Sequence, residues 1–230
     1  MIKNQTSTAP GPPTRNYDSL AGVYDLLAHC WSGLAIRTAK LRCAELVEFN
    51  EKVILVGPGT GIDAVSMMNR GAQLLLIEHS KGMLETALNN CRNNKNVVPK
   101  FILGDFRTQT DLQPCDTLVA SFFLNVFSSE EAVLVLKKMK KTIKPQGRIL
   151  ISDFAPPPKN FINRITMEIW HGIPMAFFYF WTGNAWHRIH DLESIAEKAG
   201  LRIKSHTKFR IFKWGPRWIQ SLELLKVDTQ

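Results

Sequence analysis

Three glycines form the first feature of the sequence that is suited to binding chemistry. Gly57, Gly59 and Gly61 follow a short apolar run directly. A glycine-rich turn between a strand and a helix lets the backbone approach a ligand closely. The G-x-G-x-G spacing has its third glycine one position earlier than the dinucleotide fingerprint, and the Gly-Lys-Ser/Thr of a phosphate loop is absent. The pattern predicts a ligand-binding loop of another kind, although a tight turn without a ligand has the same spacing.

Two acidic residues follow the next two predicted strands. Glu78 ends one of them, where a carboxylate can accept hydrogen bonds from both hydroxyls of a ribose. Asp105 follows the other, where it can accept from an adenine amino group while Phe106 flanks the ring. Each acid alone also suits an ordinary turn. Because the carboxyl ends of adjacent strands are where open α/β sheets bind ligands, the set predicts a nucleoside site.

Alternating strands and helices from residue 50 onward must position these residues. A continuous apolar run, typical of a strand buried on both faces, occurs at 53–56, and four further strands are predicted at 73–77, 97–103, 116–121 and 148–154. Helices are predicted at 62–70, from Ser80, from a Ser128/Glu131 capping box to Ile143, and from Asp191 to Lys198. A Pro145–Gly147 turn precedes the fifth strand. Two last strands, at 201–211 and 218–227, are close enough to pair as an antiparallel hairpin at the sheet edge.

Two segments lie outside this alternation. Residues 17–48 are predicted to form two helices, and residues 155–190 open with three prolines and are rich in large aromatic side chains. Together, 16–48 and 155–190 are expected to form a helical, aromatic lid on a single domain at 16–230. The polar, proline-containing residues 1–15 predict a disordered leader.

Composition restricts the class of protein. The 230 residues, 45% of them hydrophobic, suit one domain with a full core. The sequence has neither the roughly 18 apolar residues of a membrane span nor a secretory signal, which predicts a cytoplasmic protein. Four scattered cysteines without a CxxC pair indicate neither zinc nor disulfides. The net charge of +9 is spread out, and without a recognition motif it makes nucleic-acid binding an unfavoured interpretation.

Several segments together resemble the motifs of class I S-adenosylmethionine-dependent methyltransferases. Val53–Gly61 resembles their first motif, and Ile77–Leu84 resembles the second, whose acid holds the ribose. Gly104-Asp105 matches the adenine position, and Lys144–Asp153 resembles the fifth-strand motif. Tyr17-Asp18 with Tyr24-Asp25 resembles the opening of the ubiquinone/menaquinone C-methyltransferase group of small-molecule enzymes.

The resemblance implies an α/β, Rossmann-like, seven-stranded sheet that is mostly parallel, with an antiparallel C-terminal hairpin and helices on both faces. It also implies methyl transfer with S-adenosyl-L-methionine as the cofactor and no metal. The cofactor contacts expected on this basis are Tyr17, Tyr24, Gly57, Pro58, Gly59, Gly61, Glu78, His79, Met83, Asp105, Phe106 and Ser121.

One position departs from the family pattern. The first motif usually carries an acid where this chain has Leu55. Asp63 can compensate from the start of the next helix, although an acid there is also favoured simply by the helix dipole. The departure leaves open weaker cofactor binding and a non-catalytic cofactor-binding relative.

The aromatic lid predicts a small, apolar or aromatic acceptor, such as a quinone or a secondary metabolite, methylated at O, C or N. Of the histidines near the site, His187 and His190 are the candidate general bases, while His79 and His171 are less favoured. Asp153 is placed to orient the acceptor.

A phospholipid headgroup amine and RNA are two alternative acceptor classes. A phospholipid headgroup amine at a membrane surface would make use of the positive charge through peripheral membrane contact. RNA is disfavoured, because Ser121–Asn125 lacks the Asn/Asp-Pro-Pro-Tyr/Phe motif.

Overall fold

One sheet organises the computed structural model, which describes residues 24–95, 99–156, 160–161, 164–172, 189–212 and 214–227. Its strands are β1 (Lys52–Val56), β2 (Gln73–Glu78), β3 (Lys100–Leu103), β4 (Cys115–Ser121), β5 (Ile143–Phe154), β6 (Leu201–Phe209) and β7 (Ile219–Lys226). They lie in the order β3-β2-β1-β4-β5-β7-β6. The first five are parallel, and β7 is antiparallel to both β5 and β6. The predicted mostly parallel sheet with an antiparallel terminal hairpin is confirmed.

Seven α-helices accompany the sheet in the described ranges. They are α1 (Tyr24–Ser32), α2 (Ala35–Glu45), α3 (Ile62–Asn69), α4 (Lys81–Lys95), α5 (Ser129–Thr142), α6 (164–172) and α7 (Leu192–Lys198). The capping box is confirmed, because Ser128 Oγ accepts from the Glu131 amide at 3.2 Å while Glu131 Oε2 accepts from the Ser128 amide at 3.0 Å. Asp191 caps α7 as expected. Local start signals in the sequence therefore located these helices well.

The predicted turn before the fifth strand is wrong. β5 begins at Ile143, which pairs with Cys115, and a register shift between Cys115 and Thr117 absorbs the irregularity. A Cβ on Gly147 would lie 2.9 Å from the Asp116 carbonyl oxygen, so glycine permits a close approach of β4 there. The segment therefore stays in the sheet as a bulged strand instead of turning.

The sheet is buried on both faces. Along β1, Val53 and Leu55 belong to a core cluster that contains Met67 of α3, whereas Ile54 and Val56 belong to the opposite cluster under α5 and α7. This alternation follows from the two-residue period of a strand. Leu55 is fully buried, so the position where the family pattern has an acid is a core position in this chain.

A third apolar cluster covers the carboxyl ends of β4 and β5. Ala35 and Ala39 of α2 and Met167 of α6 pack there with residues that flank the turn between β6 and β7. Phe122 and Phe154, which follow or end β4 and β5, pack against this cluster. In the parts of the chain described, no helix has the length and apolar character to span a membrane.

Candidate active site

The glycine loop at the end of β1 depends on its glycines. Gly57, Gly59 and Gly61 have φ of 61°, 59° and 80°, in the left-handed region that favours glycine. A Cβ on Gly57 would lie 2.8 Å from the Phe123 ring, and one on Gly61 would lie 2.9 Å from the Ala87 side chain. Both the backbone conformation and the neighbouring residues therefore exclude larger side chains. The loop keeps its backbone open at the edge of the sheet where ligands bind.

Glu78, the last residue of β2, contacts the glycine loop directly. Its Oε2 accepts from the Gly59 amide at 3.4 Å, and its Oε1 accepts from the Ser80 amide at 2.9 Å. Burial raises the pKa of this carboxyl, while its backbone hydrogen bonds oppose the rise. The structure thus brings together the loop and the acid predicted to hold a ribose. The neighbouring His79 is exposed, and Met83 is buried in the first turn of α4.

Asp105, after β3, is held by an arginine that was not predicted. Its Oδ2 accepts from Arg107 Nε at 2.9 Å and Nη2 at 2.7 Å, and its Oδ1 accepts from the Arg107 amide at 2.8 Å. Burial alone would raise the pKa of Asp105, but its hydrogen bonds and ion pair with Arg107 hold that pKa below the usual range. The carboxylate is therefore ionised and fixed in place, ready to accept a further hydrogen bond.

Phe106, predicted to flank an adenine ring, is buried. Its side chain is 2% exposed and lies in the core cluster beneath α5, with Lys138 Nζ 5.4 Å from the ring centroid. The short 3-10 turn at Phe106–Thr108 directs the ring inward. The side chain thus belongs to the core in this structure, and its predicted place beside the adenine ring stays a prediction.

A buried ion pair lies beside the glycine loop. Asp63, in the first turn of α3, is fully buried, and its Oδ2 lies 4.0 Å from Nζ of the buried Lys40. Lys40 Nζ also donates to the Pro58 carbonyl at 3.4 Å. Ala64, the neighbour of Asp63, packs in the same cluster as Leu55. The buried carboxylate that β1 lacks at Leu55 is therefore present one element later, at Asp63, with its own counter-ion.

Lys40 was not predicted, although the sequence contains a signal for it. The other buried residues of α2 are Ala35, Ala39, Cys43 and Ala44. Lys40 is four residues before Ala44 and so shares the inward face of the helix. A lysine on a stripe of small apolar residues indicates a buried charge with a specific partner.

Four rings form an aromatic cluster at the carboxyl ends of β4 and β5: Trp31, Phe122, Phe154 and His171. The Phe154 ring centroid lies 5.2 Å from Phe122, 5.5 Å from Trp31 and 4.5 Å from His171, each in an edge-to-face arrangement. Phe122 has φ of 53°, an uncommon conformation for a bulky residue. Such a conformation is typical of functional sites, where the surrounding structure maintains it.

Asp153 lies beneath this aromatic cluster at the end of β5. Its Oδ1 accepts from the Phe154 amide at 2.8 Å, and its Oδ2 accepts from the Asn125 amide at 3.2 Å. Burial raises the pKa of this carboxyl to about 7, although both hydrogen bonds favour the charged form. Asp153 can therefore hold or release a proton near neutral pH.

His190, one of the two histidines predicted as general base, is held by contacts within the protein, and its role in catalysis stays a prediction. Its Nε2 lies 2.9 Å from the Phe127 carbonyl oxygen, and its Nδ1 lies 3.3 Å from Ser129 Oγ. The side chain is 5% exposed. These contacts join the residue before α7 to the beginning of α5, and they leave neither ring nitrogen directed at the aromatic cluster.

The remaining predicted site residues divide into two groups. Ser121 is buried at the end of β4 and Pro58 lies within the glycine loop. Tyr17, His187 and the side chain of Tyr24 lie outside the described residues, so their roles stay predictions. Among the side chains described, no group of three His, Cys, Asp or Glu residues is arranged to hold a metal ion.

Comparisons with known proteins agree with this geometry. Residues 53–147 match a family model described as a methyltransferase domain. The demethylmenaquinone methyltransferase of Clavibacter sepedonicus is 27% identical over 172 residues, which are 71% of this chain and 66% of that protein.

Solved structures show the same fold. The mitomycin 7-O-methyltransferase MmcR has a TM-score of 0.64 at 16% identity, over 92% of this chain and 61% of its own. The O-methyltransferase NcsB1 from neocarzinostatin biosynthesis, solved with S-adenosyl-L-homocysteine and 1,4-dihydroxy-2-naphthoic acid, has a TM-score of 0.61 at 16% identity, over 91% and 59%. The chain thus spans about three fifths of these two proteins and shares their fold.

Proposed function

We propose that the chain transfers the methyl group of S-adenosylmethionine to a small aromatic acceptor that carries a hydroxyl group. The observation that supports this most directly is the aromatic cluster beside the glycine loop. Phe123 packs against Gly57 of the loop, and its neighbour Phe122 belongs to the cluster. An acceptor stacked on these rings would therefore lie next to the cofactor.

The residues around the loop suit each part of the cofactor. Glu78 would accept hydrogen bonds from the ribose hydroxyls, and the fixed carboxylate of Asp105 would accept one from the adenine amino group. A Cβ on Gly59 would lie 3.7 Å from Lys40 Nζ, so this ammonium lies beside the loop where an anionic group would be stabilised. We assign Lys40 to the methionine carboxylate on this ground.

S-adenosylmethionine, when bound, supplies a sulfonium methyl group that is already an activated electrophile. The chain must therefore orient the acceptor and exclude water. The acceptor oxygen, or the ring carbon beside it, forms the new bond to the methyl carbon as the carbon–sulfur bond breaks. The proton of the hydroxyl group would pass to a base of the protein, and the cofactor's sulfur would keep the electron pair of the broken bond.

His171 is our candidate for this base among the described residues. A phenolic hydroxyl has a pKa of about 10, so removing its proton near neutral pH needs a positioned acceptor. His171 lies edge-on to Phe154 within the aromatic cluster. Asp153 lies under the same ring and holds its backbone amide, which makes it a positioning residue. His187, predicted from the sequence, is the competing candidate.

The relatives support an aromatic acceptor without naming it. One acts on demethylmenaquinone by its name, and another was solved with a dihydroxynaphthoic acid. Both names describe fused-ring compounds with oxygen substituents, which suit edge and face contacts with aromatic side chains.

Calorimetry followed by a transfer assay tests the proposal. We expect S-adenosylmethionine to bind, and we expect a labelled methyl group to reach 1,4-dihydroxy-2-naphthoic acid or a related hydroxylated ring. Phe154→Ala should lower kcat/KM at least about tenfold with the cofactor Kd unchanged. Phe101→Ala, which changes an exposed phenylalanine on β3, is the matched control.

Three results would contradict the proposal. Failure to bind the cofactor at millimolar concentration would exclude methyl transfer. Binding without transfer to any aromatic acceptor would favour a non-catalytic cofactor-binding protein. Transfer to phosphatidylethanolamine in place of the aromatic acceptors would assign the chain to lipid headgroup methylation.

A further inference from the structure

The carboxyl ends of β4 and β5, where we propose that the acceptor binds, are here called the acceptor end of the sheet. Three elements above it carry exposed, large apolar side chains. Leu26 on α1 and Leu34 after it are exposed, as are Phe161 and, on α6, Ile169. In the loop between β6 and β7, Trp214 is 86% exposed. Isolated exposed apolar residues are ordinary, but a contiguous group of them marks an interaction surface.

These three elements are joined to one another. Trp31 Nε1 of α1 donates to the Trp170 carbonyl of α6 at 3.1 Å. The Trp170 and Phe212 rings lie 6.1 Å apart, and the Phe212 amide donates to the Ser32 carbonyl at 3.1 Å. The elements that carry the exposed residues are therefore in contact with one another. We call these residues the apolar patch, which consists of Leu26, Leu34, Phe161, Ile169, Phe212 and Trp214.

The packing of α6 and of the loop between β6 and β7 onto the rest of the chain does not require the apolar patch. Met167 on α6 and Ile211 in the loop are buried in the third core cluster, on the inner side of the same elements. A water-soluble surface would carry polar residues at the outward positions. The outward apolar residues of α6 and of the loop therefore need another explanation.

Basic residues flank the apolar patch. Exposed arginines occur at Arg37 on α2, three residues after Leu34, and at Arg210 and Arg217 in the loop with Trp214. Arg164 on α6 is paired with Glu168 at 3.9 Å and so adds no net charge. Arginine beside exposed tryptophan, phenylalanine and leucine is typical of surfaces that lie in the headgroup region of a membrane.

We propose that the chain docks on bilayers that contain anionic phospholipid, with the apolar patch in the headgroup region and the flanking arginines on the phosphates. A bilayer of this kind complements both the apolar area and the positive charge, which an uncharged apolar partner would not. Docking would present the acceptor end of the sheet to the membrane, from which an apolar acceptor can enter. The docking itself requires no methyl transfer, so it goes beyond the proposed function.

Vesicle flotation of the full chain tests the docking. We expect binding to phosphatidylcholine vesicles that contain phosphatidylglycerol, with weaker binding in high salt and little binding to phosphatidylcholine alone. Trp214→Ser and Ile169→Ser should each weaken partition about tenfold, because each removes a large apolar side chain from the interface.

The chain offers matched controls for each variant. Phe49, which lies before β1 at the opposite edge of the sheet, is 82% exposed and is the control for Trp214. Leu134 on α5 is 64% exposed and is the control for Ile169, which is 66% exposed. Phe49→Ser and Leu134→Ser should leave binding unchanged. Arg217→Gln should weaken binding about fivefold at low salt, and Arg92→Gln on α4 should not.

Other outcomes would overturn the proposal. Equal binding by the patch variants and the controls would place any membrane contact elsewhere. A concentration-dependent dimer in sedimentation velocity that Trp214→Ser abolishes, without vesicle binding, would assign the apolar patch to self-association. Transfer to a water-soluble acceptor, measured without lipid, should survive Trp214→Ser, so failure of docking and failure of the enzymatic proposal are distinguishable.

Discussion

The proposed cofactor side of the sheet, around β1 and β2, and the proposed acceptor side, beyond β4 and β5, differ in which parts of the chain form them. Around β1 and β2, the site is mostly backbone, with left-handed glycines and a loop amide that donates to Glu78. Beyond β4 and β5, it is made of side chains from distant segments, such as Trp31 and Trp170, which are 139 residues apart. Backbone sites suit a ligand that all members of a family share, whereas side-chain sites can change with the acceptor.

The two sides also differ in whether their carboxylates are paired with cationic side chains. Near the cofactor loop, Asp105 is paired with Arg107, and Asp63 with Lys40. At the acceptor side, Asp153 accepts hydrogen bonds from the backbone amides of Asn125 and Phe154, and burial raises its pKa to about 7. The cofactor side thus holds fixed charges, while the acceptor side can exchange a proton. Four predictions test this contrast, from the largest expected effect to the smallest.

Removal of Lys40 is the most severe test of the fixed charges. Lys40→Met should lower the free energy of unfolding by about 3–5 kcal/mol, because it leaves the Asp63 carboxylate buried without its counter-ion. Urea unfolding measures this, and calorimetry should show weaker S-adenosylhomocysteine binding. The double variant Lys40→Met/Asp63→Leu should recover most of the stability. If Lys40→Met were as stable as the unsubstituted protein, Lys40 and Asp63 would not form a buried pair of fixed charges.

The second test compares Gly61 on the cofactor side with Gly172 on the acceptor side. Gly61→Ala should cost about 2–3 kcal/mol, because the left-handed backbone and the contact with Ala87 both oppose a Cβ. A Cβ on Gly172, at the end of α6, would meet no atom of the described residues within 4 Å. Gly172→Ala should therefore change stability by less than about 1 kcal/mol. Equal costs in urea unfolding would contradict the division between backbone and side-chain sites.

The third test concerns the proton at Asp153. Its pKa is raised from the usual 3.8 to about 7 in the folded chain. The folded state therefore binds more protons than the unfolded state between these values, and stability falls as pH rises through that window, by up to about 1.4 kcal/mol per pH unit. Asp153→Asn should remove this slope in unfolding measured across pH. Asp111→Asn, at an exposed acid, should keep it.

The last test separates two histidines. His190→Gln should lower stability by about 1 kcal/mol through its lost hydrogen bonds and leave kcat nearly unchanged. His171→Gln should lower kcat and alter the pH profile of the reaction with little change in stability. If His190→Gln abolished transfer in a folded chain, our structural assignment of that residue would be wrong.

The contrast also explains how far the sequence predicted the structure. The glycine loop, Glu78 and the Ser128 capping box follow from short patterns in which the partners are close along the chain. The inward orientation of Phe106 depends on which helix packs over it, and no local pattern contains that information. The small apolar residues around Lys40 signal its burial but not its partner, Asp63. The contacts of His190 could not be predicted either, since its partners in the 124–129 segment become neighbours only in the folded chain.

The position of β7 has a consequence for how the chain is made. This strand lies between β5 and β6 and is almost entirely buried, yet it is translated after both. While a ribosome synthesises the segment between β5 and β7, the apolar edge of β5 has no partner and is exposed to other chains. We therefore expect a late, cooperative closure of the sheet and a nascent chain that depends on chaperones until Ile219–Lys226 has emerged.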